Sequence, residues 1–300
     1  MSHHSPADDV LTRFLLPTAG VRGMHVRLGA AWREIASRDA YPPAVATMLG
    51  ESIAAAAMFA GHAKVAGRLS IQLRGQGALR TLFAEATAAG TLRGIVQLDP
   101  GRGQVPTSLA GLGDDAVLAL TIENPGIHGG EPMRYQGMVS LQAAGLAQAF
   151  EGYFDRSEQL PTRLLLVSDA DSASGLMLQK LPGDGGDDDG WRRAGALFDT
   201  LSTAELSAWS PEQLLQRLFH EDAPEILVSG PLRFGCSCSR ERVAAMLESL
   251  GEDEAVAAVI DGEARVRCEF CGQSYAFDRT GIDALFTPAR RPMASPDRLQ

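Results

Sequence analysis

Four cysteines are the only thiols in this 300-residue chain, and all fall in its last quarter. Cys236 and Cys238 lie in "GCSCSRERVAAML", one residue apart; Cys268 and Cys271 lie in "RVRCEFCGQSYAF", two apart. The pattern is C-x-C, 29 intervening residues, then C-x-x-C. Four sulfurs in two close pairs can be set tetrahedrally around one soft divalent ion, and zinc is the usual choice in a reducing compartment. Four buried cysteines acting as small hydrophobes would not account for two pairs at ligand spacing. The end of the chain is therefore constrained to a small module in which these pairs meet.

The sequence between and after the pairs agrees. "SRERVAAMLESLG" has helical spacing, with Val243, Met246, Leu247 and Leu250 on one face and Gly251 ending it. "EARVRCEFCGQSYAF" reads as a strand, a knuckle turn and a second strand. A module of roughly sixty residues has a core worth only ~3–5 kcal/mol, so a staple is often needed. Zinc on four thiolates contributes ~10–16 kcal/mol in small peptides, and that binding energy is also folding energy. Four thiolates fill one shell and leave no open catalytic position. One Zn2+ per reduced chain is expected, with no catalytic residue. Spacing alone leaves two readings open: a purely structural zinc, or a redox-sensitive one whose thiolates stop ligating once oxidised.

The length suggests two domains, one large and one small. The net charge is -10, from 37 acidic and 27 basic side chains. Such a surface repels phosphates, so no nucleic-acid partner is expected. "MSHHSPADDVLTRFLLPTAG" lacks the basic, apolar and small-residue succession of a secretory signal. No uninterrupted apolar stretch reaches the ~18 residues needed to span a bilayer. "SIAAAAMFAGHA" comes closest and reads as a buried helix. A cytoplasmic protein with no membrane partner is expected, in a compartment where permanent disulfides are rare.

Along the chain, "VRGMHVRLGAAWREIAS" begins as a strand and turns helical, and "YPPAVATMLGESIAAAAMFAGHAKVAG" reads as a helix with prolines at its entry. Residues 67–98 hold three strand-like runs separated by glycine turns, a β-meander. "DAVLALTIEN", "MRYQGMVSL", "TRLLLVSDAD" and "GLMLQKLP" read as further strands, and "QAAGLAQAFEGYFDRSEQ" as a helix. The fold class predicted is α+β. Residues 1–183 form a core of mostly antiparallel sheet with packed helices. Residues 184–226 form a linker, acidic and flexible in "PGDGGDDDG" and then helical. Residues 227–290 form the zinc-binding module, and 291–300 a tail. In the second linker helix, Ser210, Pro211 and Gln213 make a capping box. There Leu214, Leu215, Leu218 and Phe219 form an apolar stripe that must cover something.

Other chemistries find less support. C-x-x-C in a thiol oxidoreductase would open a helix in a βαβ setting, which the flanking strands do not supply. His128 in "GIHGGEP" has no serine or cysteine partner in view, and "RGQGALR" and "DPGRGQVP" are turns rather than phosphate-binding fingerprints. Glu158 in "SEQ" reads as a brace for the helix before it. A zinc-ribbon interaction protein with a purely structural zinc is the rival, with Arg240, Arg242, Arg265 and Arg267 around the cysteines.

The chain resembles the heat-shock protein 33 family over nearly its whole length. "VRG" with "VRL", "YP" before the alanine-rich helix, and "MLGE" look like the family's N-terminal landmarks. "YQGMVSL", "EGYFDRSEQLPT", "LMLQKLP", "LLQRLFHE", "CSCSRERV" and "CEFCGQSYAF" look like its later ones. Where the family often has a glycine pair before the last strand of the core, this chain has Ser174 and Gly175. The resemblance implies an ATP-independent, redox-regulated holdase chaperone, a poorly active monomer when reduced and zinc-loaded. Carried onto this chain, the zinc ligands are Cys236, Cys238, Cys268 and Cys271. Oxidation would join Cys236 to Cys238 and Cys268 to Cys271 and expel zinc. The module and linker would then unfold, the protein would become a homodimer, and unfolding client proteins would be held.

Overall fold

A computed structural model describes residues 9–63, 65–126, 131–183, 186–187 and 189–286. His128 and the tail 291–300 lie outside them. The contacts divide the chain into two units between Cys236 and Ser237.

The first unit is built from two sheets. Strands β1 (Val10–Leu16) and β2 (Val21–Leu28) are followed by helices α1 (Ala30–Ala36) and α2 (Pro43–His62). The meander comes next as β3 (Arg68–Arg74), β4 (Leu79–Thr87) and β5 (Thr91–Leu98). Then follow β6 (Val117–Asn124), β7 (Met133–Val139), α3 (Leu146–Ser157), β8 (Thr162–Ser168) and β9 (Ala173–Lys180). Helices α4 (Gly190–Phe198), α5 (Thr203–Ala208) and α6 (Pro211–Phe219) precede β10 (Glu225–Pro231) and the short β11 (Arg233–Phe234). One sheet has the order β10-β1-β2-β9-β8, the other β11-β5-β4-β3-β6-β7. Every pairing is antiparallel except β11 with β5. The α+β class read from the sequence holds, with two sheets where one would have satisfied the pattern.

Helix α2 lies in the core that the two sheets share. Thirteen of its 20 residues are buried, among them the run Ala54–Ala57, in one cluster with Val26 and Leu28 of one sheet and Ile71 and Leu82 of the other. A helix apolar on every side belongs inside a protein, and small side chains let both sheets approach it. Among the described residues it is the one helix long and apolar enough to cross a membrane, and 67% of its apolar window is buried here. The reading of a buried helix is met.

The far face of the first sheet is covered by α4, α5 and α6. Leu214, Leu215 and Phe219 of the predicted stripe are buried against Phe14, Leu16, Val21, Leu176 and Leu178, with Leu218 half-buried beside them. Covered on both faces, β9 is buried from Ala173 to Gln179. The predicted capping box of α6 is present: Ser210 Oγ accepts from Gln213 N at 3.3 Å, and Gln213 Oε1 accepts from Ser210 N at 3.1 Å. A second box, Ser202 with Glu205, starts α5. Where the composition of "PGDGGDDDG" predicts a flexible linker, the described Asp187 is tied to this unit, its N–H donating to Thr18 O at 2.9 Å. The contact division also falls later than the predicted 226/227 boundary, because β10 pairs with β1 and β11 with β5.

Arg193 holds the cover together. Its guanidinium pairs with Asp222, which is fully buried after α6, and with Asp187 at 2.9 Å. Removing one partner of a buried pair leaves an uncompensated charge, which costs about 3 kcal/mol or more. Arg193→Ala is therefore expected to destabilise the first unit by about 3 kcal/mol. Arg193→Lys should recover only part, since one ammonium cannot form the fork that spans two carboxylates. Urea unfolding followed by tryptophan emission is the check, and a change below about 0.5 kcal/mol would refute this role.

The second unit comprises α7 (Arg240–Leu250), α8 (Glu252–Ala257), the hairpin β12 (Glu263–Arg267) with β13 (Ser274–Asp278), and α9 (Arg279–Phe286). Its core is small: among the described residues Val243, Leu247, Ala255, Ala264, Phe277 and Ile282 are buried. The predicted face of α7 is narrower than expected, with Met246 and Leu250 exposed.

Candidate metal centre

The two cysteine pairs sit at the ends of short, well-defined elements. Cys236 and Cys238 lie in the extended segment between β11 and α7. Immediately after them, Ser239 caps α7, its hydroxyl accepting from Arg242 N at 3.3 Å. Arg240 fixes the first turn of that helix on the hairpin. Its guanidinium lies 4.1 Å from the centroid of the Phe277 ring and donates to Ala276 O at 2.8 Å.

Cys268 and Cys271 occupy the turn of the β12–β13 hairpin. Cys268 N donates to Gln273 O and Gly272 N donates to Cys268 O, both at 2.8 Å. Gly272 has φ +72, so the turn needs a residue free to enter the left-handed region. This is the predicted knuckle.

The turn and the extended segment bring all four sulfurs within 4.8 Å of one another, each half-buried. Cys238 Sγ and Cys271 Sγ are 3.3 Å apart. A tetrahedral shell with metal–sulfur bonds of about 2.3 Å has sulfur–sulfur edges of about 3.8 Å. The cluster's dimensions bracket that edge, and a set of four soft donors fits a soft divalent ion. These four clustered cysteines could hold a metal ion.

One contributor is not singled out by the cysteine pattern. Tyr275 donates its hydroxyl to Cys238 Sγ at 3.1 Å, and this bond, with burial and the neighbouring sulfurs, pushes its pKa up to about 12. A hydroxyl donated to a ligating sulfur orients it and spreads its charge. The signal available in the sequence is the alternation of β13, which sets Tyr275 and Phe277 on the same face. Of the arginines around the cysteines, Arg265 pairs with Glu263 at 3.0 Å and Arg240 is engaged on Phe277. Elsewhere "DPGRGQVP" is a turn as expected, with Asp99 accepting from Gly101 N at 3.1 Å.

A two-sheet body around a buried helix, followed by a small unit that begins at a four-cysteine cluster able to hold a metal ion, defines a two-unit protein. A family model described as Hsp33 protein matches residues 9–278. The 33 kDa chaperonin of Neisseria meningitidis serogroup A is 38% identical over 281 residues, 93% of this chain and 91% of that protein. The 33 kDa chaperonin of Nitrosococcus oceani is 40% identical over 281 residues, covering 93% and 94%. The crystal structure of the 33 kDa chaperonin of Thermotoga maritima superposes with a TM-score of 0.74 at 20% identity, over 92% of this chain and 97% of that one. The chain belongs to the Hsp33 family, a family of molecular chaperones.

Proposed function

We propose that this protein is a redox-regulated holdase whose switch is the four-cysteine cluster. The observation that carries the reading is the meeting of four sulfurs within 4.8 Å, three of them in a unit whose buried core among the described residues is six side chains. In the reduced protein Cys236, Cys238, Cys268 and Cys271 hold one Zn2+. The bound ion supplies the folding energy that so small a core lacks.

Oxidation removes that support. A thiolate takes one oxygen from a peroxide as sulfenic acid, releasing hydroxide; its neighbour then displaces a second hydroxide and closes a disulfide. Each disulfide thus passes two electrons to one peroxide. Family resemblance pairs Cys236 with Cys238 and Cys268 with Cys271. After the first closure two of the four ligands are gone, and the remaining pair cannot complete a shell. Residues 237–286 lose their order, and with heat α4–α6 then leave the apolar face they cover. Unfolding client proteins are held there, by a homodimer, in the cytoplasm. No residue is assigned a catalytic role, and no phosphate-binding fingerprint calls for a nucleotide.

The test is to measure zinc, thiols and suppression of client aggregation, without ATP, before and after peroxide with heat. The expected result is one zinc and four thiols in an inactive protein, then loss of both with the gain of suppression. Full suppression by the zinc-loaded protein, or suppression that requires ATP, would overturn the proposal.

A further inference from the structure

The first unit contains a second built site, among residues that the redox switch does not use. A cavity of about 280 Å³ opens between α2, α3 and the second sheet, with Phe59, Leu120, Ile122 and Phe154 among its apolar walls. Its polar lining is Tyr135 of β7, Tyr153 of α3, Glu158 at the end of α3, and His62.

The polar groups form one hydrogen-bonded cluster. Tyr153 donates its hydroxyl to Glu158 Oε1 at 2.7 Å, and Tyr135 donates to the same oxygen at 3.0 Å. The two phenol oxygens are 3.1 Å apart, so that either phenol can instead donate to the other. Both phenolic protons are thereby committed, and what the cluster offers a visitor is lone pairs on two phenols and a carboxylate. Glu158 forms no ion pair among the described residues. The imidazole of His62 is held neutral, its pKa pushed down to about 4 chiefly by burial and then by Arg22 and Arg13, so the ring itself is no cation at neutral pH. Arg22, with Nη2 3.4 Å from His62 Nε2, stands behind it and is not among the lining residues.

The backbone is shaped to make this cluster. A Cβ on Gly137 of β7 would stand 2.3 Å from the Tyr153 hydroxyl, so the seat of that ring requires glycine. After α3, Glu158 N and Leu160 N both donate to Phe154 O, at 3.2 and 3.0 Å, and Gln159 between them has φ +54. A non-glycine residue in the left-handed region stores strain, and here it flanks the carboxylate of the cluster. Glu158 is thus more than a brace for its helix.

We propose that this cavity binds a small amphipathic cation, its apolar body against Phe59 and Phe154 and its primary ammonium on Glu158 and the two phenols. The size sets the class: an apolar cavity of about 150 Å³ holds benzene, so this one has room for a ring with a short tail. The acceptor set selects the charge, since an ammonium brings three donors and no acceptor. An alcohol of the same shape brings one donor, and a carboxylate meets repulsion.

The experiment uses the full-length, reduced protein titrated calorimetrically with 2-phenylethylammonium, 2-phenylethanol and 3-phenylpropionate. The ammonium should bind at least about tenfold more tightly than the alcohol, the range a charged hydrogen bond supplies, and the carboxylate should not bind. Glu158→Gln should cut that preference below about threefold while the alcohol still binds. Should that variant fold poorly by tryptophan emission, Tyr153→Phe, which removes one acceptor, is the second reading and should also weaken the ammonium selectively. Equal binding of ammonium and alcohol, no binding of either at millimolar concentration, or a preference that survives in the folded variant would each overturn the proposal.

Discussion

Removing zinc, by chelator or by Cys268→Ser, is expected to unfold residues 237–286 while the first unit stays folded. The magnitudes are lopsided. A core of six buried residues lies where a small domain has ~3–5 kcal/mol in hand, whereas four-thiolate zinc sites contribute ~10–16 kcal/mol in peptides. Replacing one thiolate by a hydroxyl leaves three thiolate ligands and weakens that contribution. The first unit has its own two clusters of buried side chains and does not draw on the metal.

The tryptophans make the two units separately visible. Trp32, Trp191 and Trp209 are the only three in the chain, and all lie in the first unit. Trp191 and Trp209 pack on the α4–α6 cover, and Trp32 is buried with α2. Zinc loss alone should open residues 237–286 to protease and amide exchange with little change in tryptophan emission. Peroxide with heat, which on the proposed reading frees the cover, should shift the emission of Trp191 and Trp209 to longer wavelength. Protease protection of residues 237–286 after complete chelation would show that the unit stands without metal.

Local signals in the sequence carried the parts of this fold that local physics decides. The prolines, alanines and closing glycines of the α2 region, the capping box of α6 and the knuckle between Cys268 and Cys271 are each set by neighbours a few residues away. The apolar stripe of α6 was legible as a stripe, though not the sheet it covers. What escaped were the strands whose reason lies far along the chain. "VLTRFLL" near the start reads as a short apolar run, yet it is β1, paired with β10 more than 200 residues later through contacts such as Leu11 with Gly230. "EILVSGP" has six of seven residues exposed and shows no alternation to announce a strand. Glu158 likewise acquires its chemistry only when β7 brings Tyr135 beside it. Four cysteines at ligand spacing were legible because metal chemistry imposes the spacing; a three-segment cavity imposes none.

Acid is expected to destabilise the first unit through two histidines that the fold keeps neutral. His25 is 1% exposed in β2, and neither ring nitrogen has a hydrogen-bond partner. Burial pushes its pKa down to about 4, with Arg27 adding to the fall and Glu212 opposing it. His62, with Arg22 Nη2 3.4 Å from its Nε2, is pushed down to about 4 by burial and then by Arg22 and Arg13, with Glu158 opposing. In the unfolded chain both titrate near 6.5. Their contribution is therefore fully present above about pH 6.5 and is lost as the pH falls towards 4, about 3 kcal/mol for each. Glu51 works in the other direction. Burial raises its pKa to about 7, so ionising it in place costs stability above that pH, and acid relieves about 3 kcal/mol of the cost between 7 and 4.5. Two losses against one gain leave a net fall of about 3 kcal/mol from pH 7 to 4. Urea unfolding by tryptophan emission at pH 7.5 and pH 5 isolates the first unit from acid release of the metal. His25→Leu together with His62→Gln should reverse the trend, leaving the unit more stable at the lower pH because Glu51 then acts alone, and adding Glu51→Gln should flatten it. If the doubly substituted protein loses as much stability between those pH values as the parent, the buried imidazoles are not the groups that acid titrates.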